Sequence, residues 1–304
     1  MKRLTLLTAS VLSGLALSCL TLSGLANGAQ AKTLETVASF TVIADMVQNV
    51  GGDHVHVTSL IGPNGDPHVY EPTPNDAQSL KKADVVFVSG LHLEGWLDRL
   101  ITASGYKGDP VVLSNGIMTR SMEEDGKQIT DPHAWNSAVN GVIYVRNIIA
   151  ALQKADPANA GDYKANGDRY IRQLQEMDAY ARTQIQSIPK GQRKVLTSHD
   201  AFGYFGDAYG VTFLSPLGFS TETEASAADV GKLINQIKQE HVSAYFFENS
   251  GDPRLVQQIA KASGAHPGGE LYVESLSPAD GPAASYVQMF RYNVDKLTAA
   301  MKKQ

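Results

Sequence analysis

The sequence predicts an α/β protein of two lobes, each with a mainly parallel sheet flanked by helices, joined by one long linker helix. Short apolar runs alternate with amphipathic segments, as in β-α-β units, and the alternation occurs twice. Between the two series, residues 156–188 form a predicted helix of about 30 residues, against a mean of about 11–12 in globular proteins. A helix lying on a single domain is the alternative, but a helix that joins two lobes explains the length better.

The first series occupies residues 32–155, the predicted N-terminal lobe. Its strand candidates are short runs rich in β-branched residues, or runs that alternate apolar and polar side chains. The predicted strands are 33–40, 54–60, 84–89 and 111–113. The predicted helices are 43–50, 94–103 and 136–153.

The linker helix begins at Asp156 and Pro157, which suit the N-cap and the first helical turn, and it ends before Pro189. The alternation then resumes over residues 189–304, the predicted C-terminal lobe. The predicted strands of this lobe are 194–198, 211–214, 242–247 and 270–273. Its predicted helices are 226–240, 253–263 and 285–303.

Residues 1–31 predict an export signal that is removed. Lys2 and Arg3 precede a long apolar stretch, and the Ala-Gln-Ala at 29–31 fits the small-x-small pattern of a cleavage site. A membrane anchor is disfavoured because Ser, Thr and Gly interrupt the stretch. A lipoprotein cut before Cys19 is less favoured, since the preceding residues lack the usual leucine three positions upstream. We therefore expect a periplasmic protein with its signal cleaved near Ala31.

Composition narrows the function. A formal charge of −5 argues against nucleic acid as the main partner, because phosphate binding needs a basic face. The one cysteine, Cys19, lies within the predicted signal, so the mature chain has neither disulfides nor thiolate chemistry. Any metal site must therefore use His, Asp and Glu.

Three of the eight histidines share a local setting, since His68, His133 and His199 all lie on loops at strand ends or helix starts. Ligands of open α/β sheets bind there. Asp-Pro-His occurs twice, at 66–68 and 131–133, and its proline restricts the backbone before the imidazole. Three neutral imidazoles plus a carboxylate suit tetrahedral zinc, although such distant positions make spacing alone a weak indication.

Four segments resemble motifs of the zinc/manganese class of ABC-transporter solute-binding proteins. They are 68–76 (HVYEPTPND), 131–135 (DPHAW), 198–210 (SHDAFGYFGDAYG) and 271–286 (LYVESLSPADGPAASY). The resemblance covers essentially the whole mature chain in the same order, and it implies two α/β lobes joined by a rigid helix. It carries the metal ligands of that family onto His68, His133, His199 and Asp280.

The resemblance also bears on the metal. Members with Glu at the third position tend to bind manganese or iron, whereas this chain has His199. Three nitrogens and one oxygen favour zinc, while carboxylate and water favour manganese. We predict Zn²⁺, with Mn²⁺ as the alternative. Many zinc members carry a His-rich loop where this chain has the acidic, histidine-free segment 120–130, and many have a disulfide that this chain lacks.

Other polar residues near the predicted ligands are weaker candidates. Four of them either orient the imidazoles or are merely solvated loop residues: Glu71, Asp76, Asn136 and Asp200. Tyr70 and Trp135 are expected to shield the site. His54 and His56 would share a strand face, as a secondary metal site or a plain polar face.

The function predicted is an extracytoplasmic protein that delivers zinc to an ABC importer, whose permease and ATPase are its partners. The same role for manganese or iron is the alternative. We expect a monomer and no enzymatic activity. An exported zinc hydrolase, with Asp280 as a base, is a remote alternative because the chain has no HExxH motif. An adhesin or a metal-sensing surface protein is a further one.

Overall fold

The computed structural model describes residues 33–124, 126–222, 224–242 and 244–303. The predicted export signal and Cys19 lie outside them. None of the helices in the described part of the chain is both long and apolar enough to cross a bilayer.

Strands and helices alternate along most of the chain. The strands are β1 (Leu34–Ala38), β2 (Val55–Ser59), β3 (Val85–Val88), β4 (Val111–Val112), β5 (Ser121–Glu124), β6 (Lys127–Thr130), β7 (Lys194–Leu196), β8 (Thr212–Leu214), β9 (Ala244–Glu248) and β10 (His266–Leu271). The helices are α1 (Thr41–Gly51), α2 (Pro74–Lys82), α3 (Leu97–Ser104), α4 (Ala138–Ala155), α5 (Ala160–Gln186), α6 (Gly203–Tyr209), α7 (Ala227–Gln239), α8 (Arg254–Ser263) and α9 (Tyr286–Met301).

Two four-stranded sheets carry the fold, in the orders β2-β1-β3-β4 and β10-β9-β7-β8, and every pair within them is parallel. All four residues of β3 are buried, as expected of a strand covered on both faces. The predicted fold class, with two parallel sheets flanked by helices, is confirmed.

The long helix is present as α5, which has 27 residues and follows a short 3₁₀ turn at Pro157–Asn159. Its buried positions include Leu174, Met177 and Ala181, at the helical spacing that the sequence indicates. It packs against α1, α4 and α9. Gly167 allows α4 to approach closely, because a Cβ there would lie 2.2 Å from Ile149 Cδ1. The exact limits of the two lobes stay a prediction.

The sequence missed the β5-β6 hairpin, which occupies the acidic segment 120–130. Its register runs from Ser121 opposite Thr130 to Glu124 opposite Lys127, and Gly126 takes φ = +72° in the turn. The sequence also placed the last strand too late. The structure begins it at His266, because Pro267 and the following glycines are accommodated in an edge strand with a bulge.

One hydrophobic core spans most of the chain and joins the two sheets through α4, α5 and α9. Trp135 illustrates the connection, since this fully buried side chain donates a hydrogen bond from Nε1 to the carbonyl of Val273 at 2.7 Å. A smaller cluster lies between α7, α8 and the second sheet. This packing sets the loops at the strand ends against one another.

Candidate metal centre

Four side chains from distant parts of the sequence meet in one cluster. They are His68, His133, His199 and Glu274, and the ligand atoms that they offer lie within 4.8 Å of one another. Glu274 Oε1 lies 2.6 Å from His68 Nε2 and 3.3 Å from Nε2 of both His133 and His199. The two imidazole nitrogens of His68 and His133 are 3.2 Å apart.

The fold brings these residues together at the carboxyl ends of strands. His68 lies on the loop between β2 and α2, and His133 directly precedes the short 3₁₀ turn that leads to α4. His199 follows β7, and Glu274 follows β10. The arrangement agrees with the ligand-binding edge expected of parallel α/β sheets.

The cluster is almost completely shielded from solvent. His133, His199 and Glu274 are 0% exposed and His68 is 9% exposed. His68 also lines a cavity of about 540 Å³, which Glu71, His92 and Glu222 help to form. An ion that approaches through this cavity therefore meets His68 first.

Glu274 carries a buried negative charge. Burial alone would raise its pKa, but the charges of His68 and His199 and the hydrogen bonds from His133 and His199 hold its pKa well below the usual range. Within the described residues, Glu274 Oε2 has no hydrogen-bond partner. A buried, unpartnered carboxylate oxygen is unfavourable unless a cation compensates it.

The pKa values of His133 and His199 are also shifted. Burial would lower the pKa of His133, but hydrogen bonds with Asp131 and Glu274 raise it above the ordinary value. Burial would also lower the pKa of His199, but the negative charges of Glu248 and Glu274 raise it well above the ordinary value. A metal ion that binds these nitrogens must displace their protons.

Carboxylates behind the imidazoles fix their orientation. Asp131 Oδ1 accepts the backbone N–H of His133 at 2.9 Å and lies 2.9 Å from its Nδ1. Glu248 makes the equivalent contact with His199 Nδ1, and its other oxygen accepts the His199 N–H at 3.2 Å. These contacts leave Nε2 of each ring for a metal, as in carboxylate–histidine–metal arrangements.

The sequence analysis had not identified these orienting residues. Asp131, like Asp66, is the first residue of an Asp-Pro-His triplet, and both accept the backbone N–H of the histidine two residues on. Aspartate side chains commonly accept the backbone N–H two residues on, so the two triplets already indicated these contacts in the sequence. Glu248 stands at the end of β9, again at a strand's carboxyl end.

Asp280, the fourth predicted ligand, does not lie in the cluster. Its residue is exposed on the loop between β10 and α9, whereas Glu274, six residues earlier, is buried beside the three histidines. Glu274 lies three residues after the end of β10 at Leu271, whereas residue 280 lies farther along the loop. The structure therefore brings Glu274, and not Asp280, beside the three histidines.

The weaker candidates divide. Trp135 packs edge-on to His133 with ring centroids 5.6 Å apart, so it does shield the site. Tyr70 donates a hydrogen bond to Asp76 at 2.8 Å, and Asp76 belongs to the capping box of α2 rather than to the cluster. Asn136 Nδ2 donates to the carbonyl of Ala201 at 3.0 Å and so connects the segments that follow two of the histidines.

His54 and His56, the candidates for a secondary metal site, do not form a second metal centre. His54 Nε2 lies 2.8 Å from Asp162, and His56 Nδ1 lies 2.8 Å from Glu35. Over the described ranges, no second group of three or more potential ligands lies close enough to share an ion.

Comparison with known proteins identifies the family. The family model described as ZnuA, the periplasmic component A of a zinc-uptake complex, matches residues 36–300. The chain is a member of the ZnuA family. Members of this family are extracytoplasmic metal-binding proteins that serve ABC importers, and they are not enzymes.

Named relatives of this ZnuA family member differ in their metal. It is 34% identical to the manganese-binding lipoprotein MntA of Bacillus subtilis, over 88% of this chain and 90% of that protein. It is 33% identical to the iron ABC transporter substrate-binding lipoprotein MtsA of Streptococcus pyogenes, over 99% of both chains. The periplasmic zinc-binding protein TroA of Treponema pallidum shares the fold, with a TM-score of 0.82, 32% identity and coverage of 88% and 99%.

Proposed function

We propose that this ZnuA-family protein binds one Zn²⁺ ion through Nε2 of His68, His133 and His199 and the carboxylate of Glu274, and delivers it to an ABC importer. One observation carries the proposal, namely the convergence of three imidazole nitrogens and one carboxylate within 4.8 Å. Three nitrogens and one oxygen satisfy the tetrahedral preference of zinc. Four protein ligands leave no position for the water that a catalytic zinc needs. The family's role in ABC importers supports cargo as the role of the ion.

Manganese, or iron, is the second candidate, and two observations favour it. Relatives of similar identity are named as manganese and iron proteins. In addition, Glu274 Oε2 is buried without a hydrogen-bond partner in the described structure, so a carboxylate that binds through both oxygens would supply a fifth ligand atom. Manganese accepts higher coordination numbers and more oxygen than tetrahedral zinc does.

A competition experiment separates the two metals. The mature protein, stripped with chelator, is given zinc together with a large excess of manganese, because zinc binds most N/O sites more tightly than manganese does. The bound metal is measured by mass spectrometry, with His199→Glu as the matched variant. We expect zinc to resist displacement in the wild type and to be displaced more readily by manganese in the variant. Manganese retained by the wild type under this competition would overturn the assignment.

We propose that the ion passes to the permease of the importer, whose ATPase drives transport, and that the protein acts as a monomer outside the cytoplasm. The names of relatives that are lipoproteins support attachment through Cys19 rather than the predicted cleavage near Ala31, which would remove that cysteine. Intact-mass measurement of the mature protein distinguishes a lipid-modified Cys19 from an N-terminus at Lys32. A retained residue 1 would contradict both.

A further inference from the structure

Arg120 joins two carboxylates, one beside the clustered His133 and one on α6. Its NH1 donates a hydrogen bond to Asp131 Oδ2 at 2.7 Å, and its Nε donates to Asp207 Oδ2 at 2.9 Å. Asp131 lies behind His133, whereas Asp207 is on α6, the helix that follows His199. One guanidinium group therefore connects the segments that carry two of the proposed ligands.

Two hydrogen bonds separate Arg120 from the nitrogen that would bind the metal. Asp131 is 0% exposed, and while Oδ2 receives the guanidinium, Oδ1 receives both the backbone N–H and the Nδ1 of His133. Without Arg120 this buried carboxylate would keep hydrogen bonds with His133 alone, and its position would be less fixed.

Two residues of helix α6 lie against Arg120 and Asp131. Tyr204 donates from its hydroxyl to the carbonyl of Asp131 at 2.9 Å and accepts the backbone N–H of Arg120 at 3.3 Å. Gly203 leaves the space that the guanidinium occupies, since a Cβ there would lie 1.6 Å from Arg120 NH1 and 2.6 Å from Asp131 Oδ2. A glycine is therefore required at the point where α6 meets the arginine.

We infer that Arg120 is a positioning residue of the metal centre, which holds His133 in its metal-binding orientation through Asp131 and fastens it to α6 through Asp207. The inference rests on the proposed function. Loss of a residue that orients a metal-ligating histidine reduces metal affinity by about 10-fold to 100-fold. Because the guanidinium also reaches α6, its loss should mainly speed the release of the ion.

The test uses the mature protein and four variants. Arg120→Gln removes the connection, Gly203→Ala displaces the guanidinium, and Asp207→Asn removes only the α6 partner. Arg254→Gln is the matched control, because Arg254 pairs with Asp252 on the surface and is remote in sequence from the ligands. Zinc affinity is measured against a chromophoric chelator, release by stopped flow, and ligand geometry by the visible spectrum of the Co²⁺ form.

We expect zinc affinity to fall by about 10-fold to 100-fold in Arg120→Gln and Gly203→Ala, with a changed Co²⁺ spectrum. Asp207→Asn should show faster release with the Co²⁺ spectrum retained, and Arg254→Gln should match the wild type. A purely structural role would lower the melting temperature of the metal-free protein and leave the Co²⁺ spectrum unaltered.

Unchanged affinity and spectrum in Arg120→Gln would overturn the inference while leaving the proposed function intact. If that variant does not fold, wild-type affinity and release in Gly203→Ala and Asp207→Asn would overturn it equally. A wild type that binds neither zinc nor cobalt would instead refute the proposed function itself.

Discussion

Among the described residues, Glu274 is the one carboxylate that lies within 3.3 Å of Nε2 of all three clustered histidines, and it is fully buried. A carboxylate in that position attracts a cation and offers it an oxygen. Asp280 carries the same charge but lies exposed on the following loop. Comparing variants of the two residues therefore tests which carboxylate binds the metal.

We predict that Glu274→Gln weakens zinc binding by at least about 10-fold, because the neutral amide is a poorer metal ligand and removes the charge that compensates the ion. Asp280→Asn should bind zinc as the wild type does. Isothermal titration of both stripped variants makes the measurement. Equal losses in the two variants, or a loss confined to Asp280→Asn, would restore Asp280 to the ligand set.

Of the four clustered residues, the sequence predicted the three histidines and missed Glu274. It also missed Asp131 and Glu248, the carboxylates that orient two of the imidazoles. The histidines were recognisable because imidazoles at strand ends point to a metal, and Asp-Pro-His fixes two of them. The fourth member, Glu274, was missed although the predicted strand 270–273 ends directly before it. The motif resemblance alone did not distinguish two acidic residues six positions apart, and Glu274 is the one that the fold buries beside the histidines.

Helix α5 is the element that connects the two halves of the fold, and its contribution to stability comes from its buried face. Leu174 is 1% exposed and packs near Gly141 of α4, where a Cβ would lie 3.4 Å from Leu174 Cδ1. We predict that Leu174→Ala lowers the free energy of unfolding by about 2–5 kcal/mol, because it leaves a cavity between packed helices.

The neighbouring Gln175→Ala is the control for that prediction, since Gln175 is exposed on the same helix. It should change stability by less than about 0.5 kcal/mol. Urea unfolding of the metal-free variants gives both values. Equal stability of the two variants would mean that α5 is not held by this face.

Elements with strong apolar periodicity were predictable, and elements defined by polar residues were not. Most strands of the two sheets, such as β3 (VVFV), and most helices have apolar side chains at the spacing that burial requires, whereas β10 (HPGGEL) does not and was placed too late. The β5-β6 hairpin has few such residues, although the Asp-Gly at 125–126 is a typical turn pair. Helix α2 begins at a capping box, Thr73 with Asp76, which was overlooked because the helix has one fully buried residue, Leu80.

For the whole molecule, metal binding and stability are linked. An ion that binds the folded but not the unfolded chain stabilises it by about 2.7 kcal/mol at a free concentration 100 times its dissociation constant. We therefore predict a rise in melting temperature on addition of zinc to the stripped protein, which calorimetry measures. His133→Ala should abolish the rise, and a rise that persists in that variant would locate binding elsewhere.

Metal binding should also depend on pH. The pKa values of His133 and His199 are raised in the metal-free protein, so protons compete with the ion. As pH falls, the protonated fraction grows and zinc affinity decreases, and the decrease should begin above the ordinary imidazole pKa of about 6.5. Affinity measured at a series of pH values tests this. An affinity that stays constant as pH falls through that region would contradict imidazole ligation.

The central claim is that one ion is held by three imidazoles and Glu274. X-ray absorption at the zinc K-edge of the 1:1 complex tests it most directly, because the spectrum reports the number and type of ligands. The account predicts three imidazole nitrogens at about 2.0–2.1 Å and carboxylate oxygen from one residue, with no sulfur. Fewer than three imidazoles, or a spectrum that Asp280→Asn alters and Glu274→Gln does not, would contradict it.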